Sequence, residues 1–285
     1  MARLKDYFAL VKFAHTAFAL PFALIGYTLG VLKTGFDGWT LVAVVGCMVF
    51  ARNAAMGFNR LIDRNFDAKN PRTAGREIPA GRIGRRAAAG FVWLNAAAFV
   101  AVAATFNRWT LLLAPVVLAV VLGYSYTKRF TAWCHLVLGL GLAMAPSAAY
   151  IAVTGELTGA TVSLSGLVLT WVAGFDIIYA LQDVAFDRSQ RLHSIPAFFG
   201  VRGALTVSRL LHAATAVAVV ETGCLLGGGW LYGIGAAVFL GLLVYQHLIV
   251  RPDDLSRIGA MFGLTNGLAS VAYALFVILG LILGK

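Results

Sequence analysis

GFNRLIDRNFDAKNPRT, residues 57–73, ends an apolar segment with Asn59, Asp63 and Asp67 at four-residue spacing. GFDIIYALQDVAFDRSQRLHS, residues 174–194, ends another with Asp176, Asp183 and Asp187. Only 12 of the 285 residues are acidic, so five carboxylates gathered in two such places need a reason. On a helix, positions i, i+4 and i+7 share a face, and like charges so placed repel. A divalent cation reverses the sign of that interaction. Mg²⁺ takes one or two carboxylates together with phosphate oxygens and water, so the two stripes are expected to hold Mg²⁺ against a diphosphate. A solvated helix end with Asp–Arg pairs accounts for one such cluster about as well, but poorly for two in equivalent positions.

The segments around them are membrane spans. The chain is 60% hydrophobic with a mean hydropathy of +0.83, well outside the soluble range. A span needs about 20 apolar residues, and nine are read, at about 13–32, 39–60, 86–106, 109–127, 132–154, 162–183, 203–224, 228–249 and 258–283. Gly35, Asn107 with Arg108, Gly155 and Gly227–Gly229 punctuate short hairpins on one side, and longer polar loops lie on the other. With the N-terminus in the cytoplasm, all of the 23 basic residues except Lys33, Arg108 and Lys285 fall on the cytoplasmic side, Lys12 among them, as the positive-inside rule requires. The C-terminus is then outside. The formal net charge of +11 reflects this topology and contact with anionic lipid, and no nucleic-acid partner is expected. Cys47, Cys134 and Cys224 are dispersed and are read as buried packing thiols. The N-terminus lacks a cleavage site and is not read as a signal peptide.

Asp63 and Asp183 are 120 residues apart, an even number of spans, so both clusters face the cytoplasm. The expected organisation is a single all-α membrane domain over 1–285. It has two parallel four-helix repeats, about 1–130 and 131–250, and a final helix at about 258–283.

Cations and aromatics surround the clusters. Arg72, five residues past Asp67, is a candidate phosphate ligand, because Arg suits bidentate contacts with oxyanions. Lys128 and Arg129, in GYSYTKRF, are placed to close over a diphosphate from the opposite side, with Tyr124 and Tyr126 as candidates for the reacting centre. Arg188, Arg191 and His193 follow the second cluster; Arg188 and His193 are candidate diphosphate ligands. Arg52, inside span two, is a candidate partner of Asp176 or of a substrate carboxylate. Asp176 lies about two turns inside span six, where a carboxylate is a functional-site hypothesis by default. Diphosphate, metal and an apolar chamber together point to ionisation of an allylic prenyl diphosphate, with water excluded and aromatic faces near the cation.

Three segments, NRLIDRNFDAKNPRTAGREIPAG, YSYTKRF and DIIYALQDVAFDRSQRLHSIPAFFG, make the chain resemble the UbiA superfamily of intramembrane aromatic prenyltransferases over essentially its whole length. The resemblance implies nine helices around a central cavity open to the cytoplasm and to lipid, and Mg²⁺-dependent transfer of a polyprenyl group from its diphosphate. By position, Asn59, Asp63, Asp67, Asp183 and Asp187 match its metal motifs, and Arg72 and Lys128 match positions associated with diphosphate binding. The chain looks most like 4-hydroxybenzoate polyprenyltransferases and the related enzymes of menaquinone synthesis by the futalosine route, whose acceptors are aromatic acids. Arg52, Arg129 and Tyr126 are the candidates for binding that acid, and Asp176 for positioning it or taking its proton. Relatives carry Lys in a K-S-T-A stretch where this chain has His193-Ser194-Ile195-Pro196, a departure that fits the futalosine-type subgroup at least as well. The expected setting is a bacterial cytoplasmic (inner) membrane, with ubiquinone or menaquinone as the end product. The rival readings are the same fold with haem or a glycerol lipid as acceptor, and a secondary transporter coupled through Asp176.

Overall fold

A computed structural model of the chain describes residues 3–11 and 18–284, the side chains of Ala260 and Met261 excepted. Lys12, Lys285 and the expected start of the first span at residue 13 lie outside the described residues. Twelve α-helices follow one another: α1 (Leu4–Val11), α2 (Leu20–Thr34), α3 (Gly38–Ile62), α4 (Arg64–Asp67), α5 (Arg85–Ala103), α6 (Arg108–Thr127), α7 (Cys134–Thr154), α8 (Gly159–Ala180), α9 (Val184–Ser189), α10 (Ile195–Leu226), α11 (Trp230–Ile249) and α12 (Ile258–Leu283). Eight are long and apolar enough to cross a membrane, and α2 is a shorter apolar helix. These nine are the expected spans, and no strand occurs among the described residues. At 1.5 Å per residue, 20 residues match a hydrocarbon core of about 30 Å.

The hairpin signals Asn107, Gly155 and Gly227 act as caps, as does Asp37, which sequence reasoning passed over. Asp37 accepts hydrogen bonds from the amides of Trp39 (3.3 Å) and Thr40 (2.9 Å) at the start of α3. Asn107 does the same for α6, accepting from Trp109 and Thr110 at 3.0 Å each. Gly155 and Gly227 end α7 and α10 in the left-handed conformation, which lets the chain turn at once. The seventh span departs from its expected start at 203: its helix begins at Ile195 and bends at Gly200, where φ is +71°. The hydrophobic pattern is blind to a bend that only a residue without Cβ adopts cheaply.

The bundle has a dry side and a hollow side. On the dry side Trp171 of α8 meets Phe22 of α2 and Phe239 of α11, each at 5.4 Å between ring centroids. Tyr273 of α12 closes the cluster. On the hollow side, α3, α5, α6 and α7 enclose an apolar cavity of about 190 Å³. Close helix contacts fix the border between the two. A Cβ on Gly26 of α2 would stand 2.0 Å from the Pro146 carbonyl oxygen of α7, and one on Gly139 of α7 would stand 2.6 Å from the Leu169 carbonyl oxygen of α8. Small residues at such crossings let helix backbones touch in a membrane. Cys134 is buried, but Cys224 is exposed, contrary to the buried packing role expected for all three thiols.

Gly26→Ala is expected to lower the thermal stability of the detergent-solubilised protein by about 1–3 kcal/mol, the usual effect of overpacking. Gly90→Ala, on α5 with open space around it, is expected to be neutral or stabilising. Equal unfolding temperatures for the two variants would contradict the close approach of α2 and α7.

Candidate active site

The two acidic segments fold alike, though not as the continuous helical stripes their spacing predicts. Helix α3 ends at Ile62, Asp63 leaves helical geometry (φ −88°, ψ 3°), and α4 carries Asp67. Helix α8 ends at Ala180, and a tight 3₁₀ turn runs to Asp183 (φ −107°, ψ 6°). Helix α9 then carries Asp187. Helix α3 breaks at Asp63, whereas α8 carries Asp176 unbroken and gives way to the 3₁₀ turn that ends at Asp183; in both the chain then resumes for one or two turns.

Asp63, Asp67, Asp183 and Asp187 each meet an arginine or a lysine. Arg129 donates to Asp63 at 3.0 Å and to the Ile62 carbonyl at 3.1 Å, capping α3. Its guanidinium also lies over the rings of Phe66 and Tyr126. Arg76 pairs with Asp67 at 2.6 Å, within the first segment. Two further pairs join the first acidic loop and the α6–α7 loop to the second segment. Arg72 grips both carboxylate oxygens of Asp183 and donates to the Tyr179 hydroxyl. Lys128 pairs with Asp187 at 2.8 Å. Asn70 adds a bond to Asp183 (3.0 Å), Ser194 one to Asp187 (2.8 Å) and Asn59 one to Asp63 (3.1 Å). Burial raises the Asp63 carboxyl above its ordinary range, more than Arg129 lowers it. For Arg72 and Lys128 burial acts against the charge, but the facing Asp183 and Asp187 outweigh it and hold both cations above their ordinary values.

The donor set fits a hard divalent ion. Asn59, Asp63, Asp67, Asp183 and Asp187 offer only oxygens, and Asp67 Oδ2 is buried with no hydrogen-bond partner among the described residues. No group of three or more His, Cys, Asp or Glu side chains among the described residues could enclose an ion alone.

The site lies at one end of the cavity. Arg52 and Met56 of α3 line the cavity, and Asn59 follows Met56 by about 4.5 Å of helix rise. Tyr124 of α6 lines it too, and Lys128 follows one turn on. The remaining candidates are more scattered. Arg52 donates to the Val11 carbonyl at 3.4 Å. Tyr126 packs on Phe58 with its ring half-turned to the surface, so Tyr124 rather than Tyr126 faces the cavity. Arg188 is exposed and donates to the Ala197 carbonyl at 3.0 Å. The His193 side chain is exposed, while its backbone N–H donates to the Lys128 carbonyl at 2.7 Å. Asp176 stands apart from Asp183 and Asp187, with His135 Nδ1 2.6 Å from its Oδ2.

Sequence reasoning passed over His135, Asn70, Ser194 and Arg60. Arg60 is 4% exposed, within the electrostatic reach of Asp67, Glu77 and Tyr124, and its Nε has no hydrogen-bond partner among the described residues. His135 and Arg60 carried a signal, an ionisable residue at the edge of an apolar run. Asn70 and Ser194 carried none.

Known proteins share this architecture. A model of the UbiA prenyltransferase family matches residues 19–276. A 4-hydroxybenzoate octaprenyltransferase of Nitrosospira multiformis is 32% identical over 82% of this chain and 80% of its own. One of Photobacterium profundum is 30% identical over 89% of each. The apo structure of a UbiA homolog from Aeropyrum pernix has a TM-score of 0.82 at 31% identity, covering 95% of this chain and 98% of that one. A UbiA homolog from Archaeoglobus fulgidus bound to GPP and Mg²⁺ shares the fold, with a TM-score of 0.68 at 22% identity over 96% and 99% of the two chains.

A double-mutant cycle of Arg72→Ala and Asp183→Asn in metal-free detergent is expected to give a coupling of about 1–3 kcal/mol, as for residues in one partly buried network. The exposed Lys33–Glu156 pair is expected to couple far less. Comparable couplings for the two pairs would mean that the Arg72 clamp is solvent-screened.

Proposed function

Starting from the UbiA prenyltransferase family, to which this chain belongs, we propose that it transfers a polyprenyl group from polyprenyl diphosphate to an aromatic acid, 4-hydroxybenzoate or a menaquinone-precursor acid, in quinone biosynthesis. The observation that carries this reading is the joining of the two acidic breaks at the mouth of an apolar cavity, directly by Arg72 and through the α6–α7 loop by the adjacent Lys128 and Arg129.

Asn59, Asp63, Asp67, Asp183 and Asp187 are the residues that would hold Mg²⁺, which when bound supplies a Lewis acid and a charge clamp that make diphosphate a better leaving group. Arg72 and Lys128 each hold one carboxylate in this structure. A diphosphate offers them oxyanions of higher charge, and Arg72 already presents the bidentate fork such a group accepts. The cavity wall, with Phe99, Phe106, Leu113, Val117 and Leu142, gives the prenyl chain an apolar bed. It also keeps water from an allylic cation that would otherwise be hydrolysed. Arg52 and Tyr124 are the polar groups nearest the acid end of that wall, and Arg52 is our choice for the acceptor carboxylate. Arg129, already engaged with Asp63 and two aromatic rings, is second. Asp176 is assigned the proton that the ring loses.

The two breaks are read as equivalent points of two four-helix repeats. The basic loops, and with them the site and the N-terminus, are assigned to the cytoplasmic side of an inner membrane. The ring is the feature that His193 leaves most open. Product mass after supplying a panel of aromatic acids, haem and glycerol lipids identifies it.

Asp63→Ala and Asp183→Ala are each expected to reduce transfer from labelled prenyl diphosphate in membranes by at least about 10²-fold, the scale of losing a charge-stabilising group. Chelation of divalent ions should do the same to the unaltered protein, reversibly on adding Mg²⁺. Near-normal transfer by either variant would overturn the metal–diphosphate assignment.

A further inference from the structure

Asp63, Asp67, Asp183 and Asp187 each face an Arg or a Lys, whereas Asp176 meets an imidazole. We propose that His135 is a positioning residue that holds Asp176 as the proton acceptor of prenyl transfer; the proposal rests on the aromatic-acceptor reading above.

His135 is 2% exposed, at the start of α7. Its Nδ1 lies 2.6 Å from Asp176 Oδ2, and its Nε2 faces the backbone N–H of Ile195 at 3.4 Å. A backbone N–H only donates, so the Ile195 amide meets the ring at its Nε2 edge while Nδ1 faces the carboxylate. The imidazole is wedged between α8 and the first turn of α10. That turn is itself fixed, because Ser194 caps it by accepting from the Ala197 amide (3.2 Å) and donates to Asp187. One oxygen of Asp176 is thus tied to the same turn that supports Asp187. The Asp176 side chain keeps 21% of its surface open, and Tyr124, on the cavity wall, lies within its electrostatic reach.

In the transfer, a ring carbon of the acceptor bonds to the allylic carbon as the carbon–oxygen bond to diphosphate breaks, and the electron pair of that bond leaves with the diphosphate. The proton from the substituted ring carbon passes to Asp176, and the ring regains its aromatic electrons. No other reactant is needed. Held by His135, the carboxylate keeps one orientation through the step; released, it rotates, and a misplacement of about 1 Å can cost about 10²-fold.

The test measures prenylation by His135→Phe, His135→Asn, Asp176→Asn and the Phe/Asn double variant in detergent, with the acceptor varied at saturating prenyl diphosphate and the reverse. Asn keeps a donor near the Nδ1 position. His135→Phe is expected to lose about 10²-fold in kcat with the KM for prenyl diphosphate unchanged, His135→Asn to recover at least about tenfold of that loss, and His135→Phe to cost nothing further in the Asp176→Asn background. A purely structural His135 predicts a raised KM for prenyl diphosphate, no rescue by Asn and additive losses, and any of these overturns the proposal. Should the unaltered protein yield no prenylated aromatic acid, it is the acceptor reading that falls; should it do so while His135→Phe matches it, the positioning role falls alone.

Discussion

Carboxylates at the mouth of an apolar cavity in a membrane protein need opposite charge close by, because an unmatched ion there costs several kcal/mol. The arrangement of the polar end of this bundle follows from that requirement. Asp63 holds Arg129, so the α6–α7 loop is drawn onto the end of α3. Asp183 holds Arg72 and Asn70, so the loop after α4 crosses to α8. Asp187 holds Lys128 and Ser194, so the same α6–α7 loop also reaches the start of α10. Loops that would otherwise cross the surface freely are therefore fixed around a shared acidic centre. The N-terminal helix α1 adds an apolar cover, with Leu10 buried against Ile78, Ile83 and Ala88.

Those same ion pairs are what an anionic ligand would disturb. Arg72 and Lys128 are stabilised as cations by Asp183 and Asp187, so on the proposed reading a metal and a diphosphate arriving together would leave these charges matched once more. The rest of the bundle divides the remaining tasks. The aromatic cluster of Phe22, Trp171, Phe239 and Tyr273 makes one side rigid and dry, and close-packed Gly26 and Gly139 anchor α7 between that side and the cavity. The hollow side can then remain open without the bundle collapsing into it.

The spans were legible because apolar length is a local property. Asn107, Gly155 and Gly227 marked helix ends by side-chain chemistry and backbone freedom that depend on a few neighbouring residues. The acids and Arg72 were legible because charge is rare in such a chain. The form of the acidic stripes was not, since four-residue spacing describes a straight helix, while the helical path is interrupted at Asp63 and between Ala180 and Asp183. Tyr126 was preferred to Tyr124 because nothing in YSYT says which ring turns inward. His135 escaped notice because its meaning depends on Asp176, 41 residues away.

What the amino-acid sequence determined by itself was therefore the membrane-spanning class, the number of spans, the likeness of the two acidic segments and the residue types available for metal and phosphate. All of these are set by composition and by periodicity within one or two helical turns. Only the tertiary structure decided which cation answers which carboxylate, where the cavity lies relative to the acids, and that Asp176 belongs to a histidine rather than to the aspartates beside it in the chain. Those are distances between segments brought together by folding, and local spacing carries no record of them.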